Sequence, residues 1–189
     1  IPMLTLNADF VYQGWSALKE FVLDPQGVAL NIGSNPPQEL ADILNIYLTP
    51  MSNIIMNHDG FVDKYEGDAI KADFGVPIVD PDHAWKGCLS ALLQQEDLKV
   101  IQRLLLLKYG VKITARMGVN TGIVAAGNMG SKKKMQYTLM GDAVTLAEEL
   151  EPINKLYESW IAIGALTLEK SRDYVEVRHL DRAVEEPPR

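Results

Sequence analysis

The stretch Phe61 to Gly75, FVDKYEGDAIKADFG, decides the fold. Apolar residues alternate on both sides of Glu66-Gly67-Asp68, the pattern of two strands joined by a tight turn. Before it, Asn35-Pro36-Pro37 predicts a helix start, an N-cap candidate followed by proline at the first helical position. Leu40, Ile43, Leu44, Tyr47, Met51, Ile54 and Ile55 then recur at helical spacing, up to Asp59-Gly60. Farther back, Leu18 to Asp24 reads as a strand, ended by the turn Asp24-Pro25-Gln26-Gly27.

On the other side, Asp80-Pro81 opens a second long helix with Trp85, Cys88, Leu89, Leu92 and Leu93 on one face, closed by Gly110. Val111, Ile113, Ala115 and Met117 alternate as in a strand, Asn120-Thr121-Gly122 reads as a turn, and Ile123 to Ala126 as a short strand. Lys132-Lys133-Lys134 reads as an exposed hairpin tip before a strand over Tyr137 to Met140. Gly141-Asp142 caps a third helix with Ala143, Leu146, Ala147, Leu150, Ile153 and Tyr157 on its core face. Trp160 to Ile163 and Tyr174 to Leu180 read as closing strands. Helices interspersed with antiparallel hairpins predict an α+β fold, an antiparallel sheet with helices packed on it.

The chain has 189 residues, 47% hydrophobic, enough for one well-buried core. The expected organisation is a single domain over 1–189 with residues 1–17 an N-terminal extension. The abrupt start at Ile1 and the ending Pro187-Pro188-Arg189 suggest a piece of a larger protein. A net charge of −7 argues against a general nucleic-acid binder, which needs a basic face. No apolar run reaches the roughly 20 residues that span a bilayer, so membrane attachment would come through segments outside this sequence. No signal-peptide pattern opens the chain. The single cysteine, Cys88, cannot close an internal disulfide, which fits a reducing, cytoplasmic setting; it reads as a small buried hydrophobe. His58 and His83 stand at helix ends without ligand-spaced partners and read as surface or capping residues.

Three segments together resemble the class III adenylate/guanylate cyclase catalytic domains. They are Asp63-Lys64-Tyr65-Glu66-Gly67-Asp68-Ala69-Ile70 running to Phe74-Gly75; Met117-Gly118-Val119-Asn120-Thr121-Gly122 with Gly127-Asn128-Met129-Gly130-Ser131; and Tyr137-Thr138-Leu139-Met140-Gly141-Asp142-Ala143-Val144 with Leu150-Glu151 and Asn154-Lys155. The resemblance implies a ferredoxin-like α+β sandwich, and the conversion of ATP to 3′,5′-cyclic AMP and pyrophosphate with two Mg²⁺ or Mn²⁺ ions. It implies a metal-binding role for Asp68, whose alternative reading is a plain turn residue. Counting back from Pro37-Gln38-Glu39-Leu40, it places the second metal aspartate on Asp24, whose alternative reading is again a turn residue, with the backbone carbonyl of Pro25 as a further ligand. It makes Lys64 and Thr138 the base-selecting pair, in a combination that goes with adenine; the alternative reading of Lys64 is a solvated strand lysine.

The sequence departs from the family in the first-strand segment, where Pro25, Val28 and Ala29 stand for isoleucine, phenylalanine and threonine, and at two positions of the third helix. The helix pattern Val-Asn-Leu-Ala-x-Arg-Leu-Glu is here Val144-Thr145-Leu146-Ala147-Glu148-Glu149-Leu150-Glu151, so Thr145 and Glu149 stand where asparagine and arginine are expected. A carboxylate cannot donate to a phosphoryl oxygen. After Leu180-Asp181-Arg182 the expected phosphate-binding lysine is missing as well. Family cyclases build their sites across a head-to-tail dimer. Three readings follow: a subunit needing a second cyclase domain in a homo- or heterodimer, an inactive cyclase homology domain that regulates by binding nucleotide or dimerising, or an interaction domain with no nucleotide site.

Overall fold

The computed structural model describes residues 4–14 and 37–180. Its frame is a six-stranded sheet: β1 (Leu4–Gly14), β2 (Gly60–Glu66), β3 (Ala69–Phe74), β4 (Arg116–Ser131), β5 (Lys134–Met140) and β6 (Ile161–Ile163). The order is β2-β3-β1-β4-β5, antiparallel throughout, with β6 added parallel to β4. The helices are α1 (Pro37–Asn57), α2 (His83–Tyr109), α3 (Asp142–Leu156) and α4 (Ala165–Ser171). An antiparallel sheet carrying helices is the predicted α+β class.

The hairpin of the quoted stretch forms as expected, with Gly67 at φ 64, a left-handed conformation glycine adopts without steric cost. Asp59 holds φ 62 where α1 ends, and α2 ends on left-handed Gly110, whose N–H is donated back to the last turn. Ile43, Tyr47, Met51 and Ile55 of α1, all at most 1% exposed, pack with Leu98, Ile101 and Leu105 of α2. The sheet contributes Ile70, Ala72 and Phe74 of β3 and Met117 and Val119 of β4 to this core. Leu92 and Leu146, expected inside, are exposed.

Four expectations are corrected. The centre of the sheet is β1, drawn from the stretch expected to be an extension. Asn120-Thr121-Gly122 is no turn; β4 runs through it unbroken. Its polar side chains find partners without leaving the strand: Asn120 Nδ2 donates to the Ala143 carbonyl at 2.9 Å, and the Thr121 and Thr167 hydroxyls lie 2.9 Å apart. Among the described residues Val111 to Ala115 pairs with no strand; Gln102 and Gln95 of α2 donate to the carbonyls of Ile113 and Ala115. Tyr174 to Leu180 likewise forms no strand, and the unforeseen α4 precedes it. The strand expected over Leu18 to Asp24 lies outside the described residues. Among the described residues no helix is long and apolar enough to cross a membrane.

Helix α3 lies directly on β4. A Cβ on Gly118 would sit 2.1 Å from the Ala147 carbonyl oxygen and 2.9 Å from the Glu151 nitrogen, both backbone atoms that cannot move aside cheaply. Asn154, fully buried, ties the same helix down: its Nδ2 donates to the Met117 carbonyl at 2.9 Å, and its Oδ1 accepts from the Ser159 hydroxyl at 2.7 Å. Gly118→Val is therefore expected to destabilise the domain by about 3 kcal/mol. Thermal denaturation should show a fall of roughly 6–12 °C in Tm.

Candidate functional site

The β2–β3 ladder slips between Val62 and Lys64, leaving Asp63 as the extra residue of a β-bulge. A bulge re-aims a side chain, and the Asp63 carboxylate reaches across to β5, at the other end of the strand order. Thr138 Oγ1 donates to it at 2.7 Å, and Gln136 Nε2 at 3.2 Å. Lys64 Nζ lies 3.6 Å from the same carboxylate. Asp63 is 1% exposed at its side chain and Lys64 33%, so the acid is sunk and the ammonium faces out. The rings of Phe61 and Tyr137 meet edge to face beside them, with centroids 6.0 Å apart.

Asp63, Lys64 and Thr138 line one wall of a cleft of about 220 Å³; Lys71, Thr145 and Glu148 line another. Lys71 projects from β3 between two carboxylates, 2.5 Å from Glu148 on α3 and 3.0 Å from Glu66 on the hairpin. Burial works to lower the Lys71 pKa, but its bonds to Glu148 and Glu66 outweigh that and leave it raised. The charged form is therefore held in place.

Asp68 stands on the turn of the β2–β3 hairpin, near Arg116 at the start of β4 and Glu151 on α3. The Glu151 carboxyl is pushed up, first by burial and further by the Asp68 charge, while the Arg116 guanidinium pulls it back down. The donors gathered here are hard carboxylate oxygens, the kind a divalent cation takes. Among the described residues, however, no group of three or more metal-ligating side chains assembles. Asp24 and Pro25 lie outside the described residues.

Of the residues named from the sequence, Lys64, Thr138 and Thr145 line the cleft, while Asp68 lies within electrostatic range of Glu151, outside the cleft lining. Glu149 does not line the cleft; it points to solvent one turn from Thr145, on the exposed face of α3.

The arrangement has known counterparts. The family model of the adenylate and guanylate cyclase catalytic domain matches residues 27–168. This chain belongs to that family. Adenylate cyclase 1 of Rhizobium meliloti is 31% identical over 147 residues, 78% of this chain and 22% of that protein. The adenylate cyclase of Anabaena cylindrica is 32% identical over 64% of this chain and 24% of its own. The chain thus spans about a quarter of these relatives' length. Among solved structures, the adenylyl cyclase CyaB from P. aeruginosa superposes with a TM-score of 0.80 at 25% identity, over 93% of this chain and 85% of that one. The guanylyl cyclase Cya2 superposes at 0.79 with 26% identity, over 99% and 91%. The fold is the class III cyclase catalytic fold.

Against this cyclase frame, four residues of the site were missed from sequence. Asp63 adjoins Lys64, but only the bulge shows that it faces Thr138. Glu151 stood in a recognised segment without a role. Lys71 and Glu148 are 77 residues apart, and no local pattern pairs them. A double-mutant cycle of Lys71→Met and Glu148→Gln tests that contact. Its part-buried, charge-assisted geometry predicts a coupling of about 1–2 kcal/mol in urea unfolding.

Proposed function

We propose that this domain binds ATP for conversion to 3′,5′-cyclic AMP and pyrophosphate in intracellular signalling, and that a second cyclase domain supplies the half of the site it lacks. The reading rests on one observation: Thr138 donates its hydroxyl hydrogen to Asp63. That leaves only acceptor lone pairs on Thr138 Oγ1 facing the cleft. An exocyclic amino group, as on C6 of adenine, can donate to them; the carbonyl oxygen of guanine cannot. Lys64, a donor beside the same carboxylate, complements a ring nitrogen.

Asp68 carries the metal half of the proposal, with Asp24 and the Pro25 carbonyl as the expected co-ligands. Two Mg²⁺ or Mn²⁺ ions, when bound, neutralise phosphate charge and make the 3′-hydroxyl easier to ionise. The chain's own residues hold the base, through Lys64 and Thr138, and present Asp68 at the hairpin turn. Where an arginine donor for charge developing on the phosphate is expected, on α3, stands Glu149. Glu149 brings a carboxylate to that helix face, which repels a phosphate instead. Losing a preorganised donor of this kind costs on the order of 10²–10³ in rate.

The alternative is an inactive homology domain that binds nucleotide, or pairs with a catalytic partner, as a regulator. The same missing donor favours it. Cyclic AMP formation from ATP and Mn²⁺ separates the two. The domain alone should be silent, and a Glu149→Arg, Thr145→Asn variant should turn over, as should a mixture with a cyclase domain bearing those residues. Silence of all three samples, with nucleotide still bound, would establish the regulatory reading.

The base contacts have their own expected outcome. Lys64→Ala should weaken binding of a non-hydrolysable ATP analogue by roughly ten- to a hundredfold, the worth of one charge-assisted hydrogen bond. Isothermal titration calorimetry measures it, and an unchanged affinity would remove Lys64 from the site.

A further inference from the structure

One buried acid takes no part in the account so far. Asp73 sits on β3, opposite Phe10 of β1 and Phe61 of β2 in the ladders. It is 0% exposed, and neither carboxyl oxygen has a hydrogen-bond partner among the described residues. Its cross-strand neighbour Phe61 meets Tyr137 of β5 edge to face, so an aromatic pair adjoins it. Polar groups this deep are almost always satisfied, and an ionised carboxylate without a donor is costly enough that it takes up a proton instead.

The charged and titratable groups around Asp73 are few. From β2 it feels Asp63, which repels its charge, and Lys64, which attracts it. From β5 it faces Tyr137, whose hydroxyl is pushed up first by burial and then by the Asp73 charge. Lys71, two residues away on its own strand, is engaged by Glu148 and Glu66. Burial, and after it the Asp63 charge, push the Asp73 carboxyl up to about 8 against the opposing pull of Lys64. The acid is therefore neutral at pH 7 and ionises just above.

We propose that Asp73 is a proton-operated positioning residue for Lys64. With the proton on, Asp73 makes no claim on the ammonium, which stays beside Asp63 at the rim of the cleft. With the proton released to solvent, the buried carboxylate has, among the described residues, Lys64 as the cation acting on it outside the Lys71 cluster, and it draws Lys64 inward from the cleft. Asp63 cannot follow, because Thr138 and Gln136 hold it from β5. This deepens the base-site reading above and rests on it only where nucleotide affinity is concerned.

The test begins without nucleotide. The side-chain Nζ and Cε resonances of Lys64, followed in the domain between about pH 6 and 9.5, should show one inflection near the Asp73 titration. Asp73→Asn, neutral and of the same shape, should abolish it; Asp73→Val serves as the second neutral variant if the amide perturbs folding. A flat Lys64 titration in the unmodified domain overturns the proposal, and so does an inflection that survives in the neutral variant.

Urea unfolding gives an independent reading. A carboxyl raised in the folded state binds its proton where the unfolded chain has lost it, so stability falls as pH rises from about 4 to about 8 and then levels. The folding constant should drop about tenfold per pH unit more steeply in the unmodified domain than in Asp73→Asn. Equal slopes would show that Asp73 is not protonated, and end the proposal.

Nucleotide then completes the series. Affinity for an ATP analogue should fall at least about threefold between pH 7 and 9 in the unmodified domain and stay level in Asp73→Asn, while tripolyphosphate shows no such difference. A fall of the same size in both proteins would overturn the link to the cleft. If neither protein binds the analogue while the Lys64 inflection is present, the base-site reading fails and the switch stands.

Discussion

The position of α3 against β4 is the constraint on which the site depends. Gly118 leaves no space between strand and helix, and Asn154 fixes the depth of contact through the Met117 carbonyl. Everything that α3 contributes is measured from there: Glu148 against Lys71, Glu151 within the field of Asp68, Thr145 at the cleft. A side chain at position 118 would lift the helix and move all three at once. Such a contact has no tolerance because both surfaces are backbone, and backbone cannot change rotamer.

The second organising device is Asp63. An ordinary ladder would have kept its side chain in the alternation of β2; the bulge takes it out of register and sends it to the far end of the strand order. Three polar groups converge on one sunken carboxylate. Their geometry fixes which end of the Thr138 hydroxyl faces outward. The choice between donor and acceptor at the cleft is thus made by the carboxylate beneath Thr138.

Much of this was legible in the sequence because the signals were local. The β2–β3 hairpin and the end of α2 depend on turn and cap residues a few positions apart, and both form; the expected cap of α1, Asn35-Pro36, lies outside the described residues. Asn120-Thr121-Gly122 misled because turn-favouring residues also serve a buried strand when helices offer them partners, as Ala143 and Thr167 do. Val111 to Ala115 carries strand alternation without a strand, since glutamines of α2 occupy the place of a neighbouring chain. At the site, Lys64, Thr138 and Asp68 came from the resemblance. Lys71, Glu148 and Asp73 did not, since their significance lies in what faces them across the sheet.

The place of β1 carries a consequence for how the molecule is made. Its eleven residues leave the ribosome before the sheet's other described strands, yet they lie between β3 and β4. Translation delivers β2 and β3 as a self-contained hairpin, and β4 later still. Until Arg116–Ser131 has emerged, one side of β1 has no neighbour, and an unpaired edge invites pairing with other chains. The sheet is completed by a pairing that spans more than half the chain, the kind of distant closure that slows folding. The strand synthesised first is locked in by one synthesised much later, so nascent domains are safest when that interval is short or the waiting edge is shielded.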